Sequence, residues 1–311
     1  MSATQIMNPT TADRGARGDL LILASALAFS TAGYFTRLIH HDVWTMLFWR
    51  GVFGGLFIAG YLVWRHRGAT LEAIRSIGRI GVFAAACSTA ATICFVNALR
   101  QTTVADVNII FATAPFITAA LAWLWTGARE PVSTLLASLV ALAGVAIMFG
   151  VARLEGHLAG DLLAVAMTVL MATMMVVIRR HHQVSMLPAA CLSAFLSAVA
   201  VLPVAHPAAA FDPQFIWFVL FGTTQFGLGL LLLTMGTRLV SATRAALISA
   251  LEVPVACVWV WLAFGEMPPF ASVVGGAIVM LAVIGNLLTG RGSDPARINP
   301  SPHVTRPAPA A

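Results

Sequence analysis

Two stretches decide the fold: GDLLILASALAFSTAGYFTRLI at residues 18–39 and GDLLAVAMTVLMATMMVVIRRH at residues 160–181. Each is an apolar run long enough to cross a bilayer, because a helix rising 1.5 Å per residue needs about 20 residues to span the hydrocarbon core. Each opens on the same tetrapeptide, Gly18-Asp19-Leu20-Leu21 and Gly160-Asp161-Leu162-Leu163, and the same offset of 142 residues pairs Arg37 with Arg179. One span-sized unit therefore occurs twice.

Working outward, ten such runs are found: 20–39, 43–64, 80–98, 104–125, 132–151, 161–178, 187–205, 214–234, 241–264 and 270–289. They are continuous rather than alternating in polarity, which predicts helices and excludes a β-barrel. Of the 311 residues, 59% are hydrophobic and 10% charged, with mean hydropathy +0.89. A soluble domain carries about 25% charged residues, so this composition could not cover a water-facing surface. The expected fold is an all-α polytopic membrane protein of ten transmembrane helices. The first run follows a polar head with Arg14 and Arg17 and leads directly into a second span, so it reads as a retained helix rather than a cleaved signal.

Later landmarks repeat as well. Trp123-Leu124-Trp125 followed by Glu130 recurs as Trp259-Val260-Trp261 followed by Glu266, and Pro115 recurs as Pro254. The unit is five helices, an odd number, so the second copy enters the membrane inverted. Inverted repeats are a construction principle of secondary transporters, with the substrate site between the halves near the midplane. The chain divides into a tail at 1–18, a first repeat at 19–153, an inverted second repeat at 160–290 and a disordered tail at 291–311.

Every basic residue is Arg. With both termini on one side, that side holds Arg14, Arg17, Arg65, Arg67, Arg75, Arg79, Arg129, Arg179, Arg180, Arg238, Arg244, Arg291, Arg297 and Arg306. The other side holds Arg37, Arg100 and Arg153, and Arg50 lies within helix 2. The positive-inside rule puts both termini in the cytoplasm. The net charge of +6 then reports topology and contact with anionic lipid, and no nucleic-acid partner is expected. Cys87, Cys94, Cys191 and Cys257 lie in apolar runs without C-x-x-C spacing, as buried packing residues do, and neither metal nor cofactor is expected.

The ordered landmarks resemble those of the drug/metabolite transporter superfamily, in the branch with two EamA-type domains. The matching residues are Arg50, Phe95-Val96-Asn97-Ala98-Leu99, Ala114-Pro115, Gly127 with Glu130, and Gly144. In the second copy they are Glu252-Val253-Pro254, Gly265-Glu266 and Gly275-Gly276. The likeness covers about residues 18–290. It implies export of amino acids or similar small organic metabolites across a bacterial-type inner membrane, by alternating access between the halves. It also implies no enzymatic activity, a small-molecule substrate and membrane lipids as partners, and a monomer or weak homodimer. A multidrug or organic-cation exporter and a non-transporting sensor subunit are the alternatives. A Walker A motif needs Lys, which the chain lacks, so transport must run on a gradient.

Membrane insertion leaves a short set of polar residues to explain. Glu252 is 11 residues past Ser241, about 16 Å along the axis and near mid-membrane. A carboxylate there costs roughly 2.5–3.5 kcal/mol. It reads as a proton-coupling group, a ligand for a substrate amine, or a neutral acid bonded to backbone that Pro254 frees. Arg50, seven residues into helix 2, reads either as a fork for a substrate carboxylate or as a structural partner of Asp106 or of backbone. Asn97, Asp106, Asn108, Thr223, Thr224 and Gln225 either line a path or bond across helices for packing.

Met167, Met171, Met174 and Met175 fall on one helical face and suit either an adaptable pocket or a packing face. Pro115, Pro254, Gly227 and Gly229 are expected as structural or hinge positions, and Gly51 and Gly55 as a small-residue helix contact. The four tryptophans read as interface anchors, Glu130 and Glu266 as helix-end caps or loop salt bridges, and His40-His41 and His181-His182 as solvated loop residues.

Overall fold

Continuous apolar sequence leaves the backbone no partner but itself in lipid, and helix is the conformation that satisfies it within one segment. The computed structural model describes residues 11–66, 72, 77–102, 104–127, 129–149, 158–181, 186–210, 213, 215–265, 267 and 269–289. Residues 1–10, the C-terminal tail with its three arginines, Glu266, His182, Arg67, Arg75 and Arg153 lie outside them, while residues 11–18, expected as tail, are helical. Ten apolar helices follow: α1 Gly15–Leu38, α2 Val43–Arg65, α3 Gly78–Ala98, α4 Asp106–Thr126, α5 Val132–Met148, α6 Leu158–Arg180, α7 Leu187–Val201, α8 Phe215–Thr237, α9 Ala242–Phe264 and α10 Phe270–Leu288. No strand occurs among the described residues. The protein is an all-α, multi-pass membrane protein. Its outward faces carry exposed leucines such as Leu20, Leu124, Leu136 and Leu281, the surface that lipid rather than water covers.

The structure corrects the sequence reading in how continuous these helices are. The apolar run 187–205 is helical only to Val201; Pro203, two residues on, has no N–H to continue the ladder. Helix α4 is broken at Ala112–Thr113 and α9 at Ala250–Leu251, each just ahead of its proline, which lacks the N–H that the preceding turn needs. Helix α1 is broken at Thr31, whose hydroxyl donates to the Ala28 carbonyl at 2.7 Å. In α8, residues Phe221–Leu228 form a π-helix. Helix α2 starts regularly: the Asp42 carboxylate accepts from the Thr45 N–H at 2.9 Å, an N-cap.

Glycines set the tightest crossings. A Cβ at Gly144 in α5 would lie 2.7 Å from the Gly275 carbonyl oxygen in α10, and one at Gly275 would strike the Gly144 oxygen. The two backbones touch directly there, as small residues allow within membranes. Gly51 in α2 meets Ala194 and Ala198 in α7, and Gly55 meets the Phe195 ring. Each of these pairs, α5 with α10 and α2 with α7, joins corresponding helices of the two halves.

The remaining contacts come in matched sets. Gly18 in α1 packs against Leu239 and Val240, just ahead of α9, while Gly160 in α6 packs against Gln101 and Thr102, just ahead of α4. The Asp19 carboxylate takes a two-bond contact from Arg244 in α9, and Asp161 accepts from the Thr102 hydroxyl at 2.7 Å. Both α4 and α9 end on a left-handed glycine, Gly127 at φ 66° and Gly265 at φ 69°, whose N–H groups return to Trp123 and Trp261. The first helix of each half thus packs on the fourth helix of the other. The same pairings thus recur between the two five-helix units of the chain.

Candidate functional site

The two helices broken ahead of a proline, α4 and α9, pack against each other. Their breaks carry different chemistry. Two residues before Pro254 stands Glu252, the first residue of the second α9 segment; two residues before Pro115 stands Thr113, whose hydroxyl donates to the Ile110 carbonyl at 2.6 Å. The duplicated scaffold therefore places a carboxylate on one side of the repeat axis and a satisfied hydroxyl on the other. Glu252 is half-buried, within electrostatic reach of Arg50, and makes no hydrogen bond or ion pair to any described residue. The reading of a neutral acid bonded to freed backbone is not realised.

Arg50 reaches the same region from α2. Helix α2 crosses α8 on glycine: a Cβ at Gly54 would lie 3.1 Å from the Gly222 oxygen, and one at Gly222 would lie 3.1 Å from the Arg50 oxygen. That approach sets the guanidinium against the π-helical segment, its central carbon 4.3 Å from the centroid of the Phe226 ring and 5.8 Å from that of Phe221. Both distances are within cation–π range. The buried Nε of Arg50 has no hydrogen-bond partner. Asp106 is not that partner: it sits by Thr102 and Asp161, 3.2 Å from the Thr102 hydroxyl.

Gln225, on the π segment beside Phe226, is 2% exposed. Its Nε2 donates to the Phe29 carbonyl at 3.4 Å, two residues before the α1 break. Because a carbonyl only accepts, the amide nitrogen must face it, which leaves Oε1 buried and without a partner. Arg50 thus carries an unmet donor, and Gln225, on the segment that packs against it, an unmet acceptor. Leaving such a buried group unsatisfied costs about 1–3 kcal/mol.

The other polar positions stand apart. Asn97 donates to the Ile93 carbonyl of its own helix at 2.8 Å, and Thr223 and Thr224 donate to Val219 and Leu220 in the same way. Asn108 is half-buried, one turn before the α4 break. Met167, Met174 and Met175 are buried in the core and Met171 packs half-buried beside them. Gly227 lies against Gly54 and Gly229 against the Phe29 ring, so both serve close packing.

On the side of the chain termini, Asp19 and Arg244 form a bidentate pair at 2.8 and 2.9 Å. Nearby, Ser241 donates to Glu130 at 3.1 Å. Burial pushes the Glu130 carboxyl above its ordinary value, against the Ser241 hydroxyl and the Arg179 charge, which lower it. Among the described residues no three His, Cys, Asp or Glu side chains converge as a metal site would require.

Sequence reasoning missed three parts of this arrangement: the rings of Phe221 and Phe226, the π register that carries them, and the Asp19–Arg244 pair. The signal for the last was present, since Asp19 opens a repeated motif and an aspartate at the head of a span needs a partner. Nothing in single-residue composition marks the first two.

Fold and site define a polytopic helical membrane protein built as two inverted halves, with charged and unsatisfied polar groups held between them. The chain belongs to the EamA-like transporter family, which it matches twice, over residues 16–150 and 158–288. A crystal structure of another protein superposes on it with a TM-score of 0.77 at 18% sequence identity, covering 89% of this chain and 99% of that one. At that identity the likeness shows the fold. No curated protein matches by sequence.

Proposed function

We propose that this transporter exports small organic metabolites, amino acids and related compounds foremost. It acts as a secondary carrier across a bacterial-type inner membrane, with both termini cytoplasmic and access alternating between the inverted repeats. The observation that carries this reading is the Arg50–Gln225–Glu252 group. Arg50, with an unmet donor, lies within electrostatic reach of the half-buried Glu252 at the α9 break, and Gln225, on the α8 segment that packs against Arg50, carries an unmet acceptor. A carboxylate of the substrate would bind Arg50 as a charge-assisted pair, and its ammonium would be taken by Gln225 Oε1 and Glu252. Breaks in α4 and α9 supply half-helices that can tilt without straining a continuous span.

An organic cation would meet Glu252 favourably but would also meet the positive charge of Arg50, which counts against the cation exporter. Counterflow into proteoliposomes tests the proposal: labelled amino acid should accumulate against an unlabelled internal pool, and cationic drugs should not compete. Arg50→Lys keeps the charge and loses the fork, so it should raise KM for carboxylate substrates about tenfold or more, the equivalent of roughly 1.4 kcal/mol. Glu252→Gln should abolish any dependence of the rate on a proton gradient. Absence of flux across the panel in the wild-type protein, or an unchanged KM in Arg50→Lys, overturns the reading.

A further inference from the structure

We propose that Phe226 is a positioning residue of the transport site, and that the π-helical register of Phe221–Leu228 exists to let it act together with Phe221 on the Arg50 guanidinium. This inference rests on the reading of Arg50 as the substrate's carboxylate ligand.

The geometry is a matter of helical phase. In an α-helix, residues five apart stand about 140° round the axis from one another, so only one of residues 221 and 226 could face a given neighbour. In a π-helix the bonding is i to i+5, which stacks residue 226 over residue 221. Both rings then fall on the face turned to α2, and the guanidinium carbon of Arg50 lies 5.8 Å from one and 4.3 Å from the other. Gly222 and Gly227 lie within this segment, and both meet Gly54 on α2. A wider helix can approach α2 this closely only where both contact positions lack side chains.

Two consequences follow for Arg50. The rings supply attraction to the cation without a hydrogen bond, and Glu252 acts on it only through space, so the charge is held at depth while Nε stays free. Nε is the direct sign of this, buried and unpartnered. An acidic partner would hold the side chain equally well but would occupy the fork that a substrate carboxylate needs. The adjacent Gln225, whose amide is tied to α1 through the Phe29 carbonyl, is set by the same register. A return of the segment to α-helical phase would turn Phe226 off Arg50, so ring contact and substrate affinity are linked.

The test replaces Phe226 by phenylalanines carrying one, two and three ring fluorines, which keep the shape of the side chain but progressively weaken the negative face of the ring. KM for a carboxylate substrate in counterflow should rise stepwise, to roughly tenfold at three fluorines, with the maximal rate within twofold of wild type. Phe226→Leu should raise KM by at least as much, and Phe226→Trp should restore it. A KM flat across the fluorinated series, or Leu and Trp impaired alike, overturns the inference and leaves Phe226 as packing. If the wild-type protein gives no counterflow at all, it is the transport reading that fails. The fluorinated series then passes to ligand-induced thermal shifts with amino acids, where a shift insensitive to ring fluorination overturns the inference independently.

Discussion

Replacing Asp19 by Asn tests how firmly the two halves are tied at the terminal side. The Asp19 carboxylate receives Nε and Nη2 of Arg244 at 2.8 and 2.9 Å, a fork-to-fork geometry. The side chains are only 12% and 13% exposed. Hydrogen bonds to charged groups contribute about 1.5–3 kcal/mol each, and removing one member of a buried pair costs about 3–5 kcal/mol because the other charge is left uncompensated. With some water contact remaining, we expect about 3 kcal/mol for Asp19→Asn. Arg244→Met removes the same pair without disturbing the α9 cap, since that cap uses the Arg244 backbone N–H and the Ser241 hydroxyl. A double-mutant cycle over the two, read by reversible unfolding in mixed micelles, should give a coupling of about 2 kcal/mol or more. A coupling under about 0.5 kcal/mol, the range of exposed pairs, would refute the reasoning and make the contact a surface ornament of the closed helix ends.

Gly275→Ala should cost about 1–3 kcal/mol, because the new methyl meets the Gly144 carbonyl and Met148 Cγ, the latter 2.6 Å away. Gly60→Ala in α2, where nothing lies within 4 Å, should be neutral or stabilising by up to about 1 kcal/mol; equal thermal shifts in the two variants would contradict the close-crossing argument. For Glu130, burial raises the folded carboxyl above its unfolded value. The unfolded chain therefore releases that proton first, and stability falls as pH rises from the ordinary carboxylate value to the raised one. Glu130→Gln should flatten this part of a plot of melting temperature against pH, and an unchanged slope would exclude Glu130 as its source.

Much of the architecture was legible because lipid imposes one simple rule. A run such as 270–289 must be helical whatever surrounds it, so the ten spans follow from hydropathy alone. Repeated landmarks went further: Gly18-Asp19 and Gly160-Asp161 read as equivalent by sequence, and they do occupy equivalent contacts. Pro115 and Pro254 were legible as structural or hinge positions, but the breaks ahead of them were not, since 104–125 and 241–264 read as unbroken helices. Arg50, Glu252 and Gln225 stood out by the same logic, because polar groups within a span are costly wherever they point.

Which of those polar groups meet is another matter. Whether Arg50 finds Asp106 or an aromatic face depends on how α2 and α8 rotate against each other, and that rotation is set by Gly54, Gly222 and Gly227 far apart in the chain. The π register of 221–228 lies at the same crossing, and a conformation this rare is not marked by local propensity. The spans, the repeat and the short roster of polar residues could be read from the chain alone, as consequences of the solvent and of local backbone chemistry. The tertiary structure alone decided that Asp19 closes on Arg244, that Asn97 turns back on its own helix, and that Arg50 is held by rings with a donor left free. Those outcomes rest on helix rotation and approach, which side-chain volume at distant crossings fixes and no single stretch encodes.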